Sequence, residues 1–373
     1  DRLAVENLGI RFKTGDLRAY GLFAFNAMLK ISRKNLELTE LNGEMVAQGL
    51  SLFSAAFPWP VVNSNFKLKF SGKETHIESM NLQLGQNRLS IQGRLKEWRR
   101  LKGSLVVSTS RLDFSDWTTH KTGSAFNYND SALGRFIDKS DLRIKFKVGK
   151  GQFEGMKYGP LKVQGTFRSG DINITNSDIQ LEHGILQVKG HVKRGKTPET
   201  LLSGYIKLTK QPLKELPQKF DGLTSRLEGL LTLEGFFFTR GKKKKDLISG
   251  LNGGLNILIE KGMFKKKSHV VFKILEFLSL KNLLKKRPET FSKGGFYFET
   301  IMAHIAIDNG VSGTDSLMMK SPIFNGIAKG KMDLAGLKVD AEVGIQPLGT
   351  VDFLISNIPI VGYILTGKEK SLL

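Results

Sequence analysis

Apolar and charged residues alternate one by one along several segments of this chain, and this pattern restricts the secondary structure that it can form. Residues 66–70 read Phe-Lys-Leu-Lys-Phe, and residues 142–148 read Leu-Arg-Ile-Lys-Phe-Lys-Val. Because successive side chains of a β-strand point to opposite faces of a sheet, each segment has one apolar and one basic face. Residues 161–163 and 205–208 repeat the pattern. The alternation predicts a mainly β protein built from amphipathic strands.

An internal repeat indicates how these strands are connected. Residues 82–95 align without a gap on residues 179–192, and residues 318–332 form a looser third copy. Each copy reads as a strand, a short turn and a second strand. Repeated hairpins predict a long antiparallel sheet in which each unit buries its apolar face beside its neighbours.

Glycine and asparagine mark the turns and strands of this repeat. We expect the tight turns where these residues tolerate positive φ, at Gly85 and Asn87, at Gly184, and at Asn325–Gly326. A further glycine follows in the second strand of each copy, at Gly93, Gly190 and Gly330. These three glycines predict a bulge or a bend in the strand.

Composition excludes several kinds of protein. The chain of 373 residues has 40% hydrophobic residues, 40 Gly and only 10 Pro, which favours a folded protein with many short turns. It has no Cys, so it has neither disulfides nor thiolate ligands. No run of 18 apolar residues occurs, so the sequence predicts no transmembrane helix. Because the sequence starts at Asp1, we expect a targeting segment to lie outside it.

One segment departs from the strand pattern and predicts a helix. Residues 268–286 are rich in Leu, lack Gly and Pro, and end just before Pro288. Such a helix packs on the sheet or, since basic residues flank it, docks on a membrane surface, and the two roles are compatible. The predicted membrane contacts are apolar and basic residues of the helix and its ends: Phe272, Leu275, Phe277, Leu278, Lys265, Lys266, Lys285 and Lys286.

No pattern of residues indicates an active site. The chain has no Gly-x-Ser-x-Gly motif and no phosphate-binding glycine loop, and its 35 acidic residues are dispersed. The 6 His show no metal-ligand spacing. We therefore expect a protein that is not an enzyme, with no catalytic residue, no metal and no cofactor.

The formal net charge of +22 points to anionic partners. Most lysines alternate with apolar residues along strands, which is typical of the solvated face of an amphipathic sheet. An anionic membrane surface is therefore a better candidate partner than nucleic acid, which we do not expect to bind. The apolar strand faces fit either a closed sandwich or an open groove, and alternation alone does not separate these two.

Several motifs in the C-terminal region resemble the AsmA-like proteins of the Gram-negative cell envelope. They occur in the order found in that family: residues 251–264, the Leu-rich helix, residues 291–298, residues 305–311, residues 330–334, residues 343–348 and the Ile358-Pro-Ile-Val-Gly362 motif. The repetitive region at 65–233 matches more loosely. A run of four lysines at 242–245 places the expected boundary, with a repetitive β-groove region at 1–240 and the AsmA-like C-terminal region at 247–373.

The resemblance implies an elongated, curved antiparallel sheet of repeated hairpins with a hydrophobic groove, and one amphipathic helix near the C-terminal end. It implies transfer of phospholipid across the periplasm between inner and outer membranes, which supports outer-membrane integrity. It also implies an inner-membrane anchor formed by an N-terminal helix outside this chain. The expected groove lining consists of apolar strand residues: Phe66, Leu68, Phe70, Leu82, Leu84, Leu89, Ile91, Ile144, Phe146, Val148, Ile172, Ile174, Leu186 and Val188.

Two other functions stay open at this point. The first is a scaffold that assists outer-membrane protein assembly by strand addition at a sheet edge, with envelope proteins as partners. The second is a cationic binder of nucleic acid or polysaccharide.

Overall fold

A computed structural model describes residues 2–14, 17–31, 38–53, 60–97, 101–113, 140–194, 199–217, 220–265, 291–292, 295–322 and 324–348. These residues are mainly β-strands, as predicted, with short helical segments between some of them. The chain divides into two units, of which unit 1 comprises Asp1–Phe153 and Lys157–Ile179, and unit 2 comprises Glu154–Met156 and Gln180–Leu373.

Unit 1 contains eight complete strands and most of two more. Their bounds are β1 (Arg2–Thr14), β2 (Leu17–Ile31), β3 (Leu38–Phe53), β4 (Val61–Ser71), β5 (Glu74–Leu84), β6 (Asn87–Glu97), β7 (Lys102–Asp113), β8 (Asp141–Phe153), β9 (Met156–Arg168) and β10 (Asp171–Leu181). Strands β1 to β6 each pair antiparallel with the next strand.

The pairing of β7 with β8 corrects the prediction of a purely antiparallel sheet. These two strands are parallel, and their register runs from Lys102 opposite Asp141 to Asp113 opposite Gln152. A parallel pair needs a connection of a dozen or more residues to return the chain to the same end of the sheet. Residues 114–139, which lie outside the described residues, are long enough to make that connection.

Unit 2 contains the remaining strands and the helical segments. The strands are β11 (Ile185–Arg194), β12 (Thr200–Pro212), β13 (Leu227–Gly241), β14 (Asn252–Lys265), β15 (Phe291–Ser292), β16 (Gly295–Asp308), β17 (Val311–Lys320), β18 (Phe324–Asp333) and β19 (Lys338–Pro347). A 3-10 turn (Leu213–Glu215), α1 (Asp221–Thr224) and α2 (Lys244–Ser249) connect some of them. Antiparallel pairing joins β11 to β14 in order, then β14 to β16 and β16 to β19, while the short β15 pairs with β16.

The run of four lysines lies between two paired strands of unit 2. It leads from β13 into α2, where an Asp246 carboxylate oxygen accepts hydrogen bonds from the backbone N–H groups of Lys242 (3.1 Å) and Lys243 (3.0 Å). Strands β13 and β14 on either side pair with each other directly. The division into regions 1–240 and 247–373 stays a prediction.

The predicted turns are correct in the first copy of the repeat and wrong in the third. Gly85 has a φ of 58° and, with Gln86, joins Leu84 of β5 to Asn87 of β6. Asn325 and Gly326 instead lie inside β18 and pair with β17. The turn precedes them, because the Ser321 hydroxyl donates to the Phe324 carbonyl at 2.7 Å and closes the chain around Pro322.

The glycine within the second strand of each copy does not always mark an irregularity. Gly190 lies in an unbroken register between β11 and β12, opposite Gly204, so no bulge interrupts the pairing of these two strands. Register shifts do lie next to Gly93, between Ile77 and Met80 of β5, and next to Gly330.

The most buried aromatic side chains of unit 2 form one cluster. Phe296 and Phe324 are only 0% and 2% exposed, and their rings stack with centroids 5.3 Å apart. The ring of Phe264 on β14 stacks against Phe296 at 6.5 Å. The predicted helix at 268–286 follows β14 in sequence, and it lies outside the described residues.

A buried tyrosine links β9 to β7 in unit 1. The Tyr158 hydroxyl donates to the Leu112 carbonyl at 2.7 Å, and the side chain is 6% exposed. Burial raises the pKa of Tyr158 to about 12, and the charge of Asp113 adds to this shift. The neutral phenol is therefore the form that the fold accommodates.

We expect Tyr158→Phe to lower the free energy of unfolding by about 1 kcal/mol, because the Leu112 carbonyl loses a buried donor. The raised pKa predicts a second effect, since the stabilisation by Tyr158 is present below the unfolded-state pKa near 10 and is lost as the pH rises towards 12. Urea unfolding at pH 8 and at pH 11 measures both effects. Tyr20→Phe is the control, because Tyr20 is 39% exposed. An equal loss in this control would contradict the assignment.

Candidate functional site

Strands β2 to β8 of unit 1 present one continuous apolar face. Residues opposite each other across paired strands point to the same side of a sheet, so the register identifies which side chains share a face. One row crosses all seven strands: Phe23, Ala47, Phe66, Met80, Ile91, Val107 and Phe146. A second row lies beside it: Phe25, Met45, Leu68, Ile77, Gly93, Leu105 and Ile144. These two rows and their neighbours of the same parity are the apolar face of unit 1.

Every predicted lining residue on β4, β5, β6 and β8 lies on this face. Leu82 lies opposite Leu89 on β6, and Leu84 lies two residues further along β5 on the same side. Phe70 and Val148 continue the parity of Phe66 and Phe146 along their strands. The structure therefore brings these predicted side chains together, although they come from distant parts of the sequence.

Two phenylalanine rings meet above the small residue between them. Ala47 on β3 lies between Phe23 on β2 and Phe66 on β4 and is 1% exposed. The ring centroids of Phe23 and Phe66 are 6.1 Å apart, although strands separated by one other strand lie roughly 10 Å apart. The side chains thus lean towards each other and cover β3.

Most large side chains of this face are only half-buried. This holds for Phe66, Leu68, Phe70, Ile91 and Phe146. In the described part of unit 1, strands β1 to β8 contact one another laterally, each touching its neighbours in the sheet. Within that part of the chain, the strands belong to one sheet and not to the two facing sheets of a closed sandwich.

Unit 2 has an apolar face of the same design. One row crosses five strands: Leu186, Leu208, Leu233, Ile257 and Ala303. The next row contains Val188, Ile206, Gly235, Leu255 and Ile305. These two rows are the apolar face of unit 2, and they include the predicted residues Leu186 and Val188. Most of these side chains are again half-buried.

Glycines within strands allow neighbouring side chains to lie flat on the sheet. A Cβ at Gly235 would lie 2.7 Å from Leu255 Cδ1, and a Cβ at Gly204 would lie 2.7 Å from the Phe237 ring. In unit 1, a Cβ at Gly93 would lie 2.8 Å from Leu105 Cδ2. Because each glycine lacks a Cβ, it leaves a shallow depression on the apolar face. A side chain from the next strand fills this depression.

The two predicted residues on β10 are placed differently. Ile172 is 40% exposed, and it has the same strand parity as Asn176 and Asp178, which are exposed. Leu181 has the opposite parity and is 2% exposed. The assignment of Ile172 and Ile174 to a groove lining stays a prediction.

Charged and polar residues occupy the opposite faces, and several are paired. The Lys67 ammonium lies 2.9 Å from the Glu78 carboxylate, which raises the pKa of Lys67 and lowers that of Glu78. In unit 2, the Glu234 carboxylate accepts a hydrogen bond from the Tyr205 hydroxyl (2.7 Å) and pairs with Lys207 (3.1 Å). The hydrogen bond from Tyr205 contributes most to the lowered pKa of Glu234.

The described part of the predicted membrane contact is engaged within the protein. The Lys265 ammonium lies 3.0 Å from the Glu228 carboxylate and donates to the Thr224 carbonyl at 3.0 Å. The remaining predicted contacts, Lys266, Phe272, Leu275, Phe277, Leu278, Lys285 and Lys286, lie outside the described residues.

A family model described as YhdP protein matches residues 28–373. The chain belongs to the YhdP protein family. This family is an AsmA-like family of bacterial envelope proteins, so the predicted AsmA-like membership is confirmed. No curated protein and no solved structure matches the chain significantly. Among the helices that the structure describes, none is long and apolar enough to cross a membrane.

The sequence analysis did not identify several residues of the apolar face of unit 1. Phe23, Phe25 and Ala27 alternate with polar or small residues, and the same test of alternation would have found them. Leu105 and Val107 belong to an unbroken apolar run in which alternation does not indicate a face. The register with Ile144 and Phe146 assigns both residues.

We expect Ala47→Leu to lower the free energy of unfolding by about 1–3 kcal/mol, because added carbons would separate the Phe23 and Phe66 rings above β3. Near-ultraviolet circular dichroism should change together with the unfolding midpoint in urea. Ala24→Leu is the matched control, since Ala24 lies on the same stretch of β2 with the opposite parity and faces Val46. Equal destabilisation by both variants would contradict a packed contact above Ala47.

Proposed function

We propose that this chain carries the acyl chains of phospholipids along its apolar faces, as part of lipid transfer between the inner and outer membranes. The observation that carries the proposal is the half-burial of one aligned apolar face across seven strands of unit 1. Membership of an AsmA-like envelope family supports lipid transport in general terms.

An open apolar face needs an occupant. Soluble proteins rarely leave a large contiguous apolar surface in water, and such a surface usually serves binding. An acyl chain suits this surface because it is long, apolar and without directional groups. Each CH₂ removed from water contributes roughly 0.8 kcal/mol, so a continuous row of side chains lets every carbon be transferred without a polar step.

The chemistry of the lining favours passage over specific recognition. The rows contain Phe, Leu, Ile, Val, Met, Ala and Gly, and they place no charged side chain among the apolar ones. Such a surface holds a hydrocarbon tail without a fixed position along it. We propose on the same grounds that the protein is a carrier and has no catalytic role.

Charge substitution on alternate residues of one strand tests the proposal. We expect Phe146→Glu to lower crosslinking of a photoactivatable phospholipid, supplied in vesicles, by about tenfold, because a carboxylate facing an acyl chain costs more than the ~1.4 kcal/mol that corresponds to this factor. Lys145→Gln is the matched control. It makes the same change in net charge, but Lys145 occupies the opposite face of β8.

A second pair of variants, in unit 2, keeps the test informative if Phe146→Glu does not fold. Val188→Glu places a carboxylate on the apolar face, whereas Gln187→Glu places it on the opposite face of β11. Circular dichroism confirms the strand content of every variant. Full crosslinking in folded Phe146→Glu and Val188→Glu proteins would overturn lipid carriage along these faces.

The scaffold for outer-membrane protein assembly remains the alternative. Strand addition uses backbone groups at a sheet edge, so it should not respond to a charge in the middle of the apolar face. Crosslinking to an envelope protein that persists in Val188→Glu, together with no labelling by phospholipid in the unmodified chain, would favour the scaffold.

A further inference from the structure

Large apolar side chains are exposed on the polar face of unit 2. Phe236 and Phe238 on β13 are 59% and 54% exposed, and Leu201 on β12 is 46% exposed. All three have the strand parity opposite to that of the apolar face, because Gly235 and Leu208 belong to that face. They lie side by side, since Leu201 faces Arg240, two residues from Phe238 along β13.

Cationic side chains border this aromatic surface. Lys193 on β11 and Arg240 on β13 both lie directly opposite Leu201, on the same face. Four consecutive exposed lysines, Lys242–Lys245, follow at the end of β13. Leu201, Phe236, Phe238, Lys193, Arg240 and Lys242–Lys245 together are the aromatic–basic patch.

The positive charge of the aromatic–basic patch is not neutralised within the described part of the chain. None of its cations forms an ion pair with a described carboxylate. Of the nearby carboxylates, Glu234 is held by Tyr205 and Lys207. Asp246 accepts the backbone N–H groups of Lys242 and Lys243, and it forms no ion pair with their ammonium groups among the described residues. Unmatched cations beside exposed rings fit an anionic partner that also accepts apolar groups.

We propose that the aromatic–basic patch docks unit 2 on the surface of an anionic phospholipid bilayer. Exposed Phe and Leu side chains insert at the boundary between headgroups and acyl chains, and lysines and arginines bind the anionic headgroups around them. A duplex nucleic acid would satisfy the charges but would leave the Phe236 and Phe238 side chains in water. Leu201, Phe236, Phe238, Lys193 and Arg240 lie on the opposite face of the sheet from the apolar rows, and Lys242–Lys245 lie beyond the end of β13, where the chain enters α2. Docking on a bilayer through these residues is therefore a separate function from carrying an acyl chain.

Vesicle flotation with the whole chain tests the docking. Vesicles of phosphatidylcholine alone are compared with vesicles that also contain phosphatidylglycerol. We expect binding to the anionic vesicles only, and binding that weakens as salt is raised. Replacement of the four lysines by Gln (K242Q/K243Q/K244Q/K245Q) should lower the affinity by at least about tenfold. F236T/F238T should lower it by a similar factor at constant net charge, and Thr retains the strand preference.

Two control variants separate the patch from general charge and exposure. R143Q/K145Q/K147Q/K150Q removes the same number of positive charges from exposed positions of β8 in unit 1. Ile327→Thr removes an apolar side chain that is 61% exposed on β18. We expect both to bind anionic vesicles as the unmodified chain does. An equal loss in the β8 variant would overturn the proposal, because binding would then follow net charge alone.

Two further outcomes complete the test. Single-stranded DNA that binds through Phe236 and Phe238, with no binding to vesicles, would overturn docking on a bilayer and assign the patch to nucleic acid. Val188→Glu distinguishes this proposal from lipid carriage, since that variant should lose phospholipid labelling and still bind vesicles. Loss of vesicle binding in this variant would overturn the independence of the patch.

Discussion

The two-residue period of the strands, held in register by the backbone hydrogen bonds, is the constraint on which this structure depends. A shift of one residue between two strands would move every apolar side chain of one strand to the opposite face. The register from β2 to β8 keeps Phe23, Phe66, Ile91 and Phe146 on a single side, although the chain between them includes several bulges and one parallel pair. The apolar face is thus a consequence of pairing and not of any one segment.

Stability of such a sheet comes from lateral contacts more than from a deep core. Cross-strand pairs and hydrogen bonds join each strand to the next, and each favourable pair contributes a fraction of a kcal/mol. Small residues make the lateral packing denser: Phe237 lies over Gly204, and the Phe23 and Phe66 rings meet above Ala47. The sheet therefore holds its shape while the large side chains of one face stay half-buried.

Alternation predicted the β class and the separation of apolar from charged side chains on two faces, because the two kinds are segregated strictly in segments such as 66–70 and 142–148. It did not predict the parallel pairing of β8 with β7, since alternation separates the faces of a strand but carries no information on its direction. The Asn325–Gly326 dipeptide favours a turn by local preference, but the Ser321 hydroxyl closes the turn earlier. For Leu105 and Val107, the register with β6 and β8 shows which face of the sheet they occupy.

Burial along the apolar face of unit 2 is uneven, and this affects where a lipid tail has room. At one end, Phe296 and Phe324 are buried in a stacked aromatic cluster. At the other end, α2 packs over the sheet, where the Thr239 hydroxyl donates to the Leu247 carbonyl at 2.6 Å. Between them, Val188, Ile206 and Leu255 stay half-buried. If acyl chains use this face, the middle rows are the part of unit 2 with room for them, while the aromatic cluster and α2 fix the strands at either end.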